Sequence, residues 1–139
     1  MNEPEVIHEI LTRARIIAVV GLSNNPARSS YGVAERMQSL GYRILPVNPA
    51  IESVLGEKSY SSLKDLPVKP DLVNVFRASE HVPPIVDEVI ELGIPYLWLQ
   101  LGVIHEEAAA RAEAAGVKVV MDHCIAVESS RLQWERKAE

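Results

Sequence analysis

Residues 16–32, IIAVVGLSNNPARSSYG, constrain what this chain can fold into more than any other stretch. Five apolar residues run into Gly21, a polar loop carrying Ser23, Asn24, Asn25, Pro26, Arg28 and Ser29 follows, and an amphipathic segment begins near Tyr31. The pattern predicts a buried strand, a tight turn and a helix start. That arrangement aims unpaired backbone N–H groups and the positive end of a helix at an anion. No carboxylate occurs in residues 10–34, although the chain carries 19. A buried strand lacks acids in any case; the informative part is the loop, where nothing repels a phosphate.

The remaining residues supply a sheet around that strand. In residues 3–14, Val6, Ile7, Ile10, Leu11 and Ala14 recur at helical spacing, with acids early and Arg13 and Arg15 late, so residues 1–15 hold a short N-terminal helix. A helix over 31–40 stops at Gly41, and 42–47 reads as a second strand ending in Pro46-Val47-Asn48-Pro49. Within 50–70, residues 58–60 suit a short edge strand, and Ser62 with Asp65 caps one helical turn. A strand over 72–76 follows, then a helix through Ile85, Val86, Val89 and Ile90, entered at Pro83 and Pro84 and closed by Gly93. Strand 96–101, an Ala-rich helix over 105–115 and a last strand over 117–121 complete the pattern. The tail, 129–139, carries no signal that decides between helix and frayed chain.

Strands alternating with helices across short Gly-marked joints predict a single domain over residues 1–139, of α/β class. Its core is a doubly wound parallel sheet of five to six strands with helices on both faces. Ligands of such open sheets lie beyond the carboxyl ends of the strands, where the winding reverses. Those ends carry residues 21–30, Asn48 with Pro49, 76–79, 100–103 and 122–124.

Charge and cysteine content narrow the function classes. The net charge is −5 and aromatics make up 5%, against a nucleic-acid surface of clustered cations and stacking rings. The sequence MNEPEVIHEI has no basic n-region, and no stretch approaches the apolar length of a membrane span, so the expected location is the cytoplasm. Cys124 has no partner for an intrachain disulfide.

The loops are more informative about chemistry. Dinucleotide binding needs G-x-G-x-x-G at the first turn and an acid ending the second strand; this chain has Gly-Leu-Ser-Asn-Asn-Pro and Asn48. The Walker A loop is also absent, for want of its Gly-Lys-Ser/Thr ending. What remains are Arg28, the hydroxyls of Ser23, Ser29 and Ser30, and a helix N-terminus, a donor set suited to a pyrophosphate. The competing reading makes Ser23, Asn24 and Asn25 turn residues bonded to their own backbone, and Arg28 a solvated charge. Arg77 either faces a ligand or pairs with Glu80 or Asp71. His8, His81, His105 and His123 are scattered, without metal-site spacing. Asp122-His123-Cys124 invites a nucleophile reading, but neighbours on extended backbone point to opposite sides, and a buried, inert Cys124 is expected.

In their order and spacing, VVGLSNNPARSSYGVAERMQSLGYRILPVNP, LVNVFRASEHVPPIVDEVIELG and LWLQLGVIHEEAAARAEAAGVKVVMDHC resemble the stand-alone CoA-binding domain proteins. These are similar in turn to the N-terminal CoA-binding domain of the succinyl-CoA synthetase alpha subunit. The match spans about residues 16–128. The resemblance implies a Rossmann-like domain that binds coenzyme A or an acyl-CoA. By position it implies that Gly21, Leu22, Ser23, Arg28, Ser29 and Tyr31 line the pyrophosphate. Val47, Asn48 and Pro49 would touch the adenosine, with Phe76, Arg77 and Ser79 facing the ligand across the crevice. Where relatives carry a basic residue after the Asn-Pro pair, this chain has Ala50 and then Glu52, so selection for the 3′-phosphate is not implied. Nothing corresponds to the synthetase domain with the phosphorylated histidine, so no ligase activity carries over. The expectation is non-catalytic binding of CoA, with no metal, nucleic-acid or membrane partner. The alternatives are an NAD(P)-dependent oxidoreductase on the same fold, or a protein-interaction module with a vestigial nucleotide site.

Overall fold

The computed structural model describes residues 1–138, with side chains to residue 135. Helix α1 (Pro4–Arg13) starts on a proline, where a missing N–H costs nothing, and buries Ile10 and Leu11. Strand β1 (Ile16–Val20) alternates between two cores: Ile17 and Val19 on one face of the sheet, Ala18 and Val20 on the other. Its all-apolar sequence follows from cover on both sides. Its start is fixed by Asp71, whose carboxylate accepts the N–H groups of Arg15 at 2.8 Å and Ile16 at 2.9 Å.

Helix α2 (Ser29–Ser39) begins two residues earlier than the periodicity places it, because buried Ser30 turns its hydroxyl back to accept the N–H of Ser23 at 3.0 Å. Strand β2 (Arg43–Val47) follows Gly41, which has φ +102°. The next segment forms a two-stranded antiparallel hairpin, β3 (Ser53–Val54) and β4 (Glu57–Lys58). Its turn residues, Leu55 and Gly56, both have positive φ, which matches the twist of a hairpin. The single edge strand expected over 58–60 is thus divided. Lys58 belongs to the hairpin, while Tyr60 bridges in parallel to the edge of β2, donating its N–H to Pro46 and accepting that of Asn48.

After a 3-10 turn (Leu63–Asp65) come β5 (Leu72–Val75), a second 3-10 turn (Ser79–His81) and α3 (Val82–Glu91). Pro83 and Pro84 fall in the first turn of α3, where no helical hydrogen bond is lost. Strand β6 (Tyr96–Leu99) ends two residues before the expected point, because Gly102, at φ +84°, and the Val103 N–H to Gln100 carbonyl bond turn the chain. Helix α4 (Glu106–Ala114) is capped by His105, whose Nδ1 accepts the N–H of Ala108. Then come β7 (Lys118–Met121) and α5 (Ile125–Ala138). Helix, not frayed chain, is the state of the tail through Ala138, anchored by the buried Ile125 and Ser129; Glu139 lies outside the described residues.

The five long strands form one parallel sheet in the order β2-β1-β5-β6-β7, so the winding reverses at β1 and β5. Helices α3 and α4 cover one face, and α1, α2 and α5 the other, where Trp98 is fully buried. The β7 edge is occupied by Asn2, whose side chain donates to the carbonyl of Met121 and accepts its N–H. Nearby, Glu9 of α1 accepts from Lys118 Nζ at 2.6 Å and from the Tyr96 hydroxyl at 2.8 Å. Lys118 first, then Tyr96, hold the Glu9 carboxyl below its usual value, while burial and then Glu9 push the Tyr96 phenol up.

A lowered carboxylate contributes stability that is present above its unfolded pKa and lost as pH falls through its folded value. Glu9→Gln is therefore expected to lower Tm at neutral pH, with the gap to wild type closing as the pH falls below the ordinary range of a glutamate. Thermal melts across that interval check the trend; a pH-independent gap would trace it to packing.

Candidate functional site

The tip of β1 is tied to the tip of β2 by two bonds. Gly21 donates its N–H to the carbonyl of Val47 at 2.9 Å, and Asn48 Nδ2 donates to the carbonyl of Leu22 at 3.0 Å. Gly21 has φ +87°, and a Cβ there would stand 3.1 Å from Arg77 Cδ and 3.2 Å from the carbonyl of Phe76. Only glycine suits both the backbone conformation and the close approach of the β5 tip.

Beyond Gly21 the loop folds on itself. Ser23 Oγ accepts the N–H of Asn25, and Asn25 Oδ1 accepts that of Ala27, so both side chains do the turn work that competed with a ligand role. Arg28 occupies the N-cap of α2, the position where Ser, Thr, Asp or Asn commonly supplies an acceptor, and no side chain caps this end. Among the described residues, the N–H groups of Leu22, Ser29 and Ser30 find no acceptor. An uncapped helix start with a guanidinium in place of a capping oxygen is a site for an anion supplied from outside.

Two cavities open around this tip. The first, of about 330 Å³, is lined by Gly21, Ser23, Arg28, Ser29, Ser30 and Phe76, with no carboxylate among them. The second, of about 200 Å³, lies between the β2 tip and α3; Val20, Val47, Pro49 and Leu63 meet Arg77, His81 and Glu88 there. Larger still is a cavity of about 480 Å³ beside the C-terminal ends of α1 and α2. The one charged side chain in its lining, Arg15, donates Nη1 to the carbonyls of Thr12 and Ala14.

The predicted residues divide accordingly. Gly21, Ser23, Arg28, Ser29 and Phe76 come together in the first cavity, and Val47, Pro49 and Arg77 in the second. Arg77 forms no ion pair with Glu80 or Asp71; Asp71 is engaged at the start of β1. Leu22 is fully buried in the core, so it can offer a ligand only its main chain. Tyr31 packs against the same core and lines neither cavity. The amide of Asn48 is spent on Leu22 and on the N–H of Ala50, and the hydroxyl of Ser79 accepts the N–H of Ile104. Both residues shape the loops rather than face the cavities.

Ser61, Ser62, Leu63, His81 and Glu88 were not among the predicted residues. None left a signal in the sequence that points to a site: Glu88 falls at the margin of the polar face of α3, next to Asp87 and Glu91, where a carboxylate is ordinary. Among the described residues, no three His, Cys, Asp or Glu side chains group to hold a metal. No described helix is long and apolar enough to cross a membrane.

Residues 15–130 match the CoA binding domain family. The chain belongs to that family. This CoA-binding domain is 48% identical to the uncharacterized protein YneT of Bacillus subtilis over 121 residues, covering 87% of this chain and 90% of that one. It is 35% identical over 81 residues to the alpha subunit of an ADP-forming acetate–CoA ligase II from Pyrococcus furiosus; the match covers 58% of this chain but 18% of that subunit. A solved hypothetical protein from Pyrococcus horikoshii superposes with a TM-score of 0.89 at 37% identity, covering 93% of this chain and 91% of the other. The α/β architecture with its five-stranded parallel sheet is thus that of its Rossmann-like neighbours, and the CoA-binding domain of ADP-forming ligases is related to it.

Gly21→Ala is expected to destabilise the domain by about 1–3 kcal/mol, the cost of a left-handed non-glycine residue combined with a close contact. Denaturant unfolding measures it.

Proposed function

We propose that the domain binds coenzyme A or an acyl-CoA non-covalently and performs no chemistry on it. The observation that carries the reading is the uncapped start of α2, where Arg28 and free N–H groups open onto a cavity without carboxylates. A diphosphate there would receive main-chain donors, a helix dipole and one guanidinium. Arg77, unpaired among the described residues, borders Gly21 on the other side. The second cavity next to it, where Val20, Val47, Leu63 and Ile85 offer a surface for a ring, is where the nucleoside would lodge, and membership of the CoA binding domain family supports the same ligand.

Non-catalytic binding is supported by the surroundings of the one thiol. Cys124 Sγ has no hydrogen-bonding partner among the described residues, and His123 turns Nδ1 to the carbonyl of Met121 at 2.9 Å. No base is in place to activate a nucleophile. Against an NAD(P) enzyme, the β2 tip offers Asn48, already engaged on both sides of its amide, where a ribose-binding acid would stand.

Calorimetric titration with CoA, 3′-dephospho-CoA, NAD and ATP tests the reading. Heat is expected with CoA, and absence of heat with either CoA species at high micromolar ligand would remove it. Arg28→Ala is expected to weaken CoA by about 1.5–3 kcal/mol, the range for a charged hydrogen bond, without lowering Tm. Unchanged affinity would make Arg28 a solvated charge.

A further inference from the structure

Of the five large apolar side chains that stand exposed among the described residues, Leu101 and Ile104 share one loop, the one that leaves β6 at the carboxyl end of the sheet. Leu101 is 68% exposed and Ile104 45%. The loop is not slack. Val103 is buried beneath it, and its backbone is tied on both flanks: Gly102 donates its N–H to Asp122 Oδ1 at 2.8 Å, and Ile104 donates its N–H to Ser79 Oγ at 2.9 Å. Apolar side chains held out to water by a backbone pinned in this way gain by being covered.

Their place beside the candidate phosphate site indicates what covers them. Gln100, which opens the loop, donates its N–H to the carbonyl of Val75 at 3.2 Å, and the residue after Val75, Phe76, lines the first cavity. Strand β6 lies two strands from β1, across β5, or roughly 10 Å from the tip that would hold a diphosphate. With the nucleoside on the β2 side of that tip, the other substituent of the diphosphate is left the path over Phe76 towards β6. In coenzyme A that substituent is the pantetheine arm, about twelve bonds from phosphate ester to sulfur, the length of about four extended residues or roughly 14 Å. The arm therefore spans the gap and brings its thiol, with whatever the thiol carries, to the loop of Leu101 and Ile104.

We propose that Leu101 and Ile104 receive the acyl chain of an aliphatic acyl-CoA, so that the domain prefers such a thioester to free coenzyme A. The proposal rests on the coenzyme A reading of the first loop and extends it from the phosphates to the far end of the ligand. Free coenzyme A leaves both side chains in water. A short aliphatic chain lies along them on one side and stays open to solvent on the other, so each methylene contributes about half of what full burial would, roughly a twofold gain in affinity.

The test is a calorimetric titration of the wild-type chain and of a double variant, Leu101→Gln with Ile104→Gln, using coenzyme A and its acetyl, butyryl and hexanoyl thioesters. In the wild type, hexanoyl-CoA is expected to bind about tenfold more tightly than coenzyme A or acetyl-CoA, with butyryl-CoA between them. In the double variant all four ligands should fall within about twofold of one another. A wild-type series without a trend, or the same trend in the double variant, overturns the assignment of the loop while coenzyme A binding stands. If no member of the series binds, the coenzyme A reading falls with it. Should the double variant fold poorly, the single variants Leu101→Gln and Ile104→Gln carry the comparison, each expected to shrink the hexanoyl preference to about threefold.

Discussion

The carbonyl of Val47 holds the N–H of Gly21, and most of the site depends on that bond. It joins the carboxyl ends of β1 and β2 beyond the last residues of their ladder, and the Asn48 amide repeats the tie one residue further on. With the tip fixed, the chain must leave β1 at positive φ, close against the β5 tip, and enter α2 with its first N–H groups turned outward. Glycine is required at the pivot for two independent reasons, conformation and space, so a single substitution disturbs both the path of the loop and the wall it shares with Arg77.

Much of this was legible in the residues. Hydrophobic runs bounded by glycines fixed the number and order of long strands, because a strand covered on both faces has no polar alternation to confuse with anything else. Element ends were less legible. Ser29 and Ser30 look like loop residues until the Ser30 hydroxyl is seen closing onto Ser23, a contact that depends on how the chain returns rather than on local composition. The hairpin at Leu55 and Gly56 was missed for a related reason: its strands are two residues each, below the length at which alternation carries information.

The site was legible in its cations and glycine but less so in its amides and hydroxyls. Arg28 and Arg77 each had a competing role in the sequence, a solvated charge and an ion pair with Glu80 or Asp71, and neither forms an ion pair among the described residues. Ser23, Asn48 and Ser79 each had a backbone group within reach, and each took it. A second polar group of this kind lies in the sheet itself. Asn74 donates to the carbonyl of Trp98 and to Gln100 Oε1, which also accepts the N–H of Ile125 at the start of α5. Both partners of that oxygen are donors, so the orientation of the Gln100 amide is fixed, and it binds β5, β6 and α5 at the end of the sheet that carries the cavities.

Both margins of the sheet are closed by short segments rather than by full strands. Tyr60 occupies the flank of β2 and Asn2 the flank of β7, each through paired main-chain or amide bonds. Strand addition, the usual route by which open parallel sheets polymerise or recruit an extended peptide, therefore has no vacant ladder at those positions. At the carboxyl ends of the two edge strands, next to the cavities, an incoming chain would therefore have to displace Tyr60 or Asn2 first.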